Sequence, residues 1–324
     1  MPGRLRRNLI IGIILGVAIY IVMGFYADLD SLREVFGSFR WAVLPVALGL
    51  VLFNYLIRFL KWEYLIRAVG VSIPVRPSFI IFFSGLTMSI SPAKLGEVMK
   101  SFLLRDYAGV KVSRTAPVIV AERLTDVIGI VILGSFGALA YGWGRDILAV
   151  TIALVVVFVA VVQWRRLCLR LLAAAEHVPF LSRVAHHLEE FYESSYILLR
   201  LGRLLPAVTL STAGWFTECV ASWLLLRALG LEVDLLLVTF VFVTATLAGA
   251  LAMIPGGLGV AEGSMTGLFI NGGLDRTDAV AATLLIRLVT FWFAIAMGVA
   301  GLAAYGILFG NRGGGGNSVP DVVD

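Results

Sequence analysis

Apolar residues run in long blocks along this chain, separated by short polar clusters. Blocks at roughly 9–26, 41–60, 115–141, 147–163, 206–229 and 279–309 approach or reach the length a helix needs to cross a hydrocarbon core. Two further blocks do not fit as simple spans. Ser78 to Ser91 stops at Pro92, and Leu235 to Ile254 runs into Pro255-Gly256-Gly257-Leu258-Gly259 before a short apolar segment ending at Ile270. Proline removes a backbone donor and glycine loosens a helix, so each block is expected to break at depth and return to its own side. The pattern predicts an all-α polytopic membrane protein with about six spanning helices and two re-entrant broken-helix hairpins.

Composition agrees with the pattern. The 324 residues are 60% hydrophobic and only 15% charged, with mean hydropathy +0.95. A soluble domain averages about 25% charged residues, so a water-solvated core does not account for this chain. The first block follows the basic start Met1-Pro-Gly-Arg-Leu-Arg-Arg-Asn8 and resembles a signal peptide, yet it is about long enough to span and no small-x-small cleavage site follows. It is expected to be an uncleaved first helix with its basic end in the cytoplasm. Cys168 and Cys219 are far apart, and His177, His186 and His187 fall in one polar stretch, so no metal, cofactor or nucleic-acid partner is expected.

Charge then tests the topology. With both broken blocks returning to the side they came from, Arg33, Arg40, Arg145, Arg227 and Arg276 fall outside. Arg123 and Arg287 fall within spans, which leaves 19 of the 26 Lys and Arg inside, as the positive-inside rule requires. Both termini are then cytoplasmic, in a cell (inner) membrane. Residues 1–310 form one transmembrane domain, residues 164–205 a polar cytoplasmic connector, and residues 311–324, with Gly313 to Gly316, a disordered tail.

The two halves resemble each other. Trp62, Pro92, Gly109 and Arg123 recur as Trp223, Pro255, Gly273 and Arg287, at offsets of 161, 163, 164 and 164 residues. The repeats cover about 41–141 and 206–309, and in the topology above they are inverted relative to each other, an architecture of many secondary transporters. The helix breaks are assigned to Pro92 and Gly96, and to Pro255, Gly256, Gly257 and Gly259.

Charged residues inside the blocks mark the candidate site. Arg123 and Arg287 occupy matching places, Glu122 and Asp126 share a helical face, and Glu218, Glu97 and Glu262 are further carboxylates at depth. Each such charge costs about 2.5–3.5 kcal/mol at a helix centre, so it pairs, meets water, or does both. The two arginines could be internal ion-pair staples. Alternatively Arg123, Arg287, Lys94, Lys100 and Arg58 form a basic cavity for a lipid phosphate, with a carboxylate, Glu97 or Glu262 first, exchanging a proton. Arg58, Lys61 and Trp62 also fit an interfacial anchor.

Taken in order, Arg58-Phe-Leu-Lys61-Trp62, Pro92-Ala-Lys-Leu-Gly96-Glu97, Glu122-Arg123-Leu-Thr-Asp126 and Pro255-Gly-Gly-Leu-Gly-Val-Ala-Glu262, followed by Arg287, resemble the lysylphosphatidylglycerol synthase transmembrane family. That family is also called flippase-like. The resemblance spans roughly 10–305 and implies movement of a phospholipid or lipid-linked glycan between leaflets. Lys94 stands where the motif more often has arginine, and no soluble aminoacyl-transfer domain is present in this sequence. The expected partner is therefore a membrane lipid, with an envelope glycosyltransferase or lipid-modifying enzyme as a further partner. Two other readings stay open: a membrane phosphatase acting on a polyprenyl pyrophosphate, using the Gly263-Ser264 and Thr266 region, and an accessory subunit of an envelope pathway.

Overall fold

The computed structural model describes residues 3–91, 96–142, 145–166, 168–170 and 185–309; these contain helices and turns but no strand. Helix α1, Gly3–Ala27, meets α2, Leu29–Ser38, at a bend of 96°. Asp28 makes that bend in a left-handed conformation (φ 68°), and its carboxylate accepts from the Ser31 N–H to start α2. Helix α3, Leu44–Ala68, starts with a proline in its first turn and stops at Gly70, where a left-handed backbone lets Val71 N–H reach back to Ile66 O. Arg114 Nε and Arg203 Nη1 cap the end of α3 by donating to the carbonyls of Val69 and Ala68.

The first interrupted block forms α4, Val75–Leu86, followed by a 3₁₀ turn, Thr87–Ile90; the chain resumes at Gly96 and forms α5, Met99–Ala108. Helices α6, Val112–Tyr141, α7, Arg145–Gln163, and α8, Ala185–Leu198, follow, then α9, Leu201–Ala228. The second interrupted block forms α10, Leu235–Leu251, a 3₁₀ turn at Pro255–Gly257 and α11, Val260–Asn271. Gly256, Gly257 and Gly259 all have positive φ, a conformation that only glycine adopts freely, so the break is written into these residues. Helix α12, Arg276–Arg287, continues through a π-helical stretch, Leu288–Trp292, into α13, Phe293–Phe309.

Among the described residues, three helices are long and apolar enough to cross a membrane: Trp41–Ala68, Val112–Tyr141 and Arg276–Phe309. A fourth is added if α1 and α2 count as one bent span. The described part of α7 is shorter, and α9, although 28 residues long, is diluted by Glu218 and by Thr209, Ser211, Thr212, Thr217 and Ser222. Several of these polar groups face protein: Ser211, Glu218 and Ser222 are buried, and α9 packs along α3 and α6. Large apolar side chains point outward instead, among them Ile14, Val22, Phe136, Leu139 and Ile307. An exposed apolar surface around a core holding polar groups is what a lipid solvent selects.

Packing between the halves is reciprocal. Helix α4 lies against α13, and α10 lies against α6. On α13, a Cβ added at Gly298 or Gly301 would come within 2.1 Å or 2.7 Å of the α4 segment's backbone. On α6, a Cβ at Gly137 would meet Phe240 Cβ at 2.4 Å, and one at Gly134 would meet Val243 at 3.3 Å. Gly134 and Gly298, like Gly137 and Gly301, are 164 residues apart. The small residues that let each helix approach its partner thus share the 164-residue offset of Arg123 and Arg287.

Candidate functional site

Three segments of the first half and one helix of the second converge on a buried charge cluster. Asn54, Arg58 and Lys61 form a stripe along one face of α3 at i, i+4 and i+7. Glu97 and Lys100 come from the start of α5, Glu122, Arg123 and Asp126 from α6, and Ser211 from α9. Lys61 Nζ lies 2.6 Å from Asp126 Oδ1 and 2.6 Å from Ser211 Oγ, with Thr125 Oγ1 and the Glu122 carbonyl at 3.3 and 3.4 Å. Lys100 Nζ lies 2.6 Å from Glu122 Oε2 and 3.2 Å from Glu97 Oε2, above the rings of Trp62 and Phe82. Arg123 Nη2 bridges Glu97 Oε2 at 3.1 Å and Asp126 Oδ2 at 3.0 Å. Arg58 Nη2 is farther from the same carboxylates, 3.7 Å from Asp126 and 3.9 Å from Glu97.

In these direct pairs four cations face three carboxylates, and a fourth carboxylate, Glu218, bonded to Asn54 one turn from Arg58, lies within reach of Arg58. The Arg123 side chain is 19% exposed, whereas those of Arg58, Lys61, Lys100 and the three carboxylates are at most 8% exposed. Arg123 marks the mouth of the cluster. The Nε atoms of Arg58 and Arg123 are buried and have no hydrogen-bond partner among the described residues. Glu122 Oε1 and Ser101 Oγ also lack hydrogen bonds there, so donors and acceptors are both left over. Leaving buried polar groups unpaired is costly, and water or a ligand offering both kinds of partner relieves it.

Arg287 lies in a second, smaller constellation. Its Nε donates to Glu262 Oε1 at 2.6 Å, its Nη2 donates to the Gly256 carbonyl at 3.0 Å, and its guanidinium stacks 4.1 Å from the Phe291 ring. Glu262 Oε2 in turn accepts from the Gly259 N–H, closing the first turn of α11. This arginine staples the Pro-Gly break to the helix beyond it. The π-helical stretch begins at the next residue, and such insertions interrupt the regular ladder.

The structure thus brings Arg58, Glu97, Lys100, Glu122, Arg123 and Asp126 together and places Arg287 with Glu262 elsewhere. The breaks themselves meet: the turn Thr87–Ile90 packs against Pro255–Gly257, and Ile90, Leu258, Phe291 and Ile295 form a small apolar cluster with Leu15 and Ile19 of α1. Gly96 packs against this first turn, its N–H donating to Ser91 Oγ at 2.8 Å. Pro92 and Lys94 lie outside the described residues, as does His177. Glu218 pairs with Asn54 between α9 and α3. Thr266 Oγ1 donates to Thr283 Oγ1, joining α11 to α12.

Lys61 is the residue whose part the sequence understated. As an interfacial anchor it would extend toward water; instead it and Trp62 are wholly buried, and Arg58 is 6% exposed. The stripe from Asn54 to Lys61 is the signal that points inward. Arg58, Lys61 and Lys100 are buried and are not loop charges, so the number of Lys and Arg expected inside falls from nineteen to sixteen, against five expected outside.

The sequence profile of the lysylphosphatidylglycerol synthase TM region matches residues 13–298. The chain belongs to this family. It is also 26% identical to a UPF0104 membrane protein of Methanothermobacter thermautotrophicus, covering 92% of this chain and 94% of the relative. A second UPF0104 membrane protein, from Pyrococcus horikoshii, is 22% identical over 88% of this chain and 94% of its own length. Both are similar along nearly their whole length, so the membrane region is the shared unit.

Proposed function

We propose that this protein moves a phosphate-bearing lipid, a phospholipid or a polyprenyl-phosphate-linked lipid, between the leaflets of a cell membrane. The observation that carries the reading is a set of four buried cations beside two arginine Nε donors without hydrogen-bond partners among the described residues, opening at Arg123. An anion about 4 Å from a cation gains about 4 kcal/mol at an effective dielectric of 20, which favours phosphate over a neutral headgroup. The planar guanidinium of Arg123 suits phosphate oxygens, Arg58 and Lys100 supply the surrounding charge, and Lys94 precedes Glu97 by three residues in the sequence. Arg287 and Glu262 hold the second break in shape.

In this reading the chain is an inverted repeat of about six spans and two re-entrant hairpins, with both termini cytoplasmic. The reciprocal packing of α4 on α13 and α10 on α6, with glycines at a common spacing, supports it. The two broken segments pack against each other, as this reading expects of an inverted repeat. The test is translocation in liposomes holding the purified chain and trace fluorescent phosphatidylglycerol or fluorescent polyprenyl phosphate. Wild type should expose the label to an external quencher faster than protein-free vesicles, and Arg123→Gln should return the rate to that background. Rates equal to background for both labelled lipids with the wild-type chain would sink the proposal.

A further inference from the structure

Where the two breaks meet, the chain runs in turns, and one helix lies over them. The turn Thr87–Ile90 touches the turn Pro255–Gly257, and α1 packs on the first of these. Leu15 and Ile19 of α1 rest on Ile90, Leu258, Phe291 and Ile295. Inside a membrane, backbone outside a helix is tolerated only where protein covers it or a wet cavity adjoins it. Helix α1 supplies cover for this seam.

The face that α1 presents to the seam is narrow. Gly12, Gly16 and Gly24 are buried, at a four-residue spacing that also takes in Tyr20. A Cβ added at Gly12 would lie 2.0 Å from Ile90 Cδ1, and one at Gly16 would lie 2.2 Å from the Trp292 ring. Trp292 Nε1 donates to Tyr20 Oη at 3.0 Å, and Tyr20 Oη donates to the Leu284 carbonyl at 3.4 Å. The opposite face, with Ile14, Val17, Val22 and Phe25, is exposed. Lipid tails are as apolar as the side chains of this contact, so packing and the Tyr20 hydrogen bonds hold α1 down, without a hydrophobic force. Hydrocarbon chains can replace such packing.

The end of α1 beside α2 is held differently. Thr277 Oγ1 donates to the Ala27 carbonyl at 2.9 Å, the Arg276 guanidinium lies 4.9 Å from the Tyr26 ring, and α2 packs on α12. Asp28 turns the chain there by 96°. One end of α1 is thus pinned by polar contacts at a bend, and the rest lies along the seam on apolar ones.

The seam leads to the charge cluster. Ile90 precedes Glu97 by seven residues in the same broken segment, and Glu97 pairs with Arg123. On the other side, Arg287 holds Glu262 and the Gly256 carbonyl, and both charges lie within electrostatic reach of Tyr20. We propose that α1 is a lateral gate that swings about Asp28 and uncovers the seam, so that a lipid headgroup passes from the bilayer to the Arg123 cluster. The tails stay in the hydrocarbon and take over the contacts α1 gives up, while the headgroup meets the turn backbone that α1 had covered. In this structure the gate is shut. The proposal rests on the transport reading above.

A disulfide can pin the gate. An added Cβ at Gly12 lies 3.9 Å from Ile90 Cβ, within the about 3.5–4.5 Å span of a disulfide, and Ile90→Cys removes the crowding Cδ1. In the full chain with Cys168→Ala and Cys219→Ala, Gly12→Cys with Ile90→Cys should cross-link on oxidation. In liposomes with fluorescent phosphatidylglycerol or fluorescent polyprenyl phosphate, cross-linking should bring translocation down to the protein-free rate, and dithiothreitol should restore it. Each single change should respond to neither reagent. Undiminished translocation by the cross-linked chain would overturn the gate, as would failure of the pair to cross-link. If the reduced pair moves neither lipid, distance judges the gate instead. Spin labels at Val17→Cys and Phe136→Cys, both exposed, should then report two populations in vesicles. A single narrow distance overturns the gate, whereas a wild-type chain that moves neither lipid overturns the transport reading.

Discussion

Lys61 shows how a single residue decides between an anchor and a site. Its ammonium is wholly buried and held by Asp126, Ser211, Thr125 and the Glu122 carbonyl. Lys61→Met should destabilise by up to about 3–5 kcal/mol, since Asp126 keeps Arg123 and Arg58 but loses its nearest cation, and Ser211 and the Glu122 carbonyl lose their buried donor. Removing both, in Lys61→Met with Asp126→Leu, should recover much of that loss. Denaturant titration in detergent measures both, and equal destabilisation by the single and double changes would contradict the pairing. The residue types of the cluster were legible in the sequence, because charges inside apolar blocks stand out. Their partners were not: Lys61 finds Ser211 across 150 positions, and Arg287 turns to Glu262 and Gly256 and away from Arg123's carboxylates. Pairing of that kind depends on which helix faces meet, and spacing along one helix does not fix it.

At the scale of elements, proline and glycines announced the second break, and the structure places Gly256 and Gly257 at φ 64° and 63° as a sharp break requires. The π-helical stretch after Arg287 had no such signal, since Leu288 to Trp292 reads as ordinary apolar helix. The match between helices lies in small residues. Gly298 lets α13 close onto the α4 segment, where an added Cβ would lie 2.1 Å from Thr87 N, and backbone cannot yield as a side-chain tip can. Gly298→Ala should therefore destabilise by about 1–3 kcal/mol through overpacking. Gly306, three residues before the last described residue and with nothing within 4 Å of an added Cβ, is the control. Gly306→Ala should be neutral or stabilise by up to about 1 kcal/mol, as helix propensity alone dictates. Thermal unfolding of the two variants side by side would reveal a common shift if close packing played no part.

For the whole molecule, the all-helical membrane class was legible in the apolar blocks, but the number of spans was not settled by length. Helix α9 hides polar residues against α3, and α1 bends by 96° into α2. The inverted topology predicts that Lys111, after the first broken segment, faces the cytoplasm and that Glu232, before the second, faces outside. In a chain with Cys168 and Cys219 replaced, an impermeant maleimide applied to intact cells should label Glu232→Cys and spare Lys111→Cys. The opposite labelling of Lys111→Cys would make the first broken segment a full span.

The phosphate site is tested most directly by the lipids that remain on the purified protein, identified by native mass spectrometry. Wild type and the connector control Arg165→Gln should retain a phosphate-bearing lipid, and a folded variant carrying Arg58→Gln with Arg123→Gln should lose it. An identical lipid profile in all three would contradict the assignment of the cluster to a lipid phosphate.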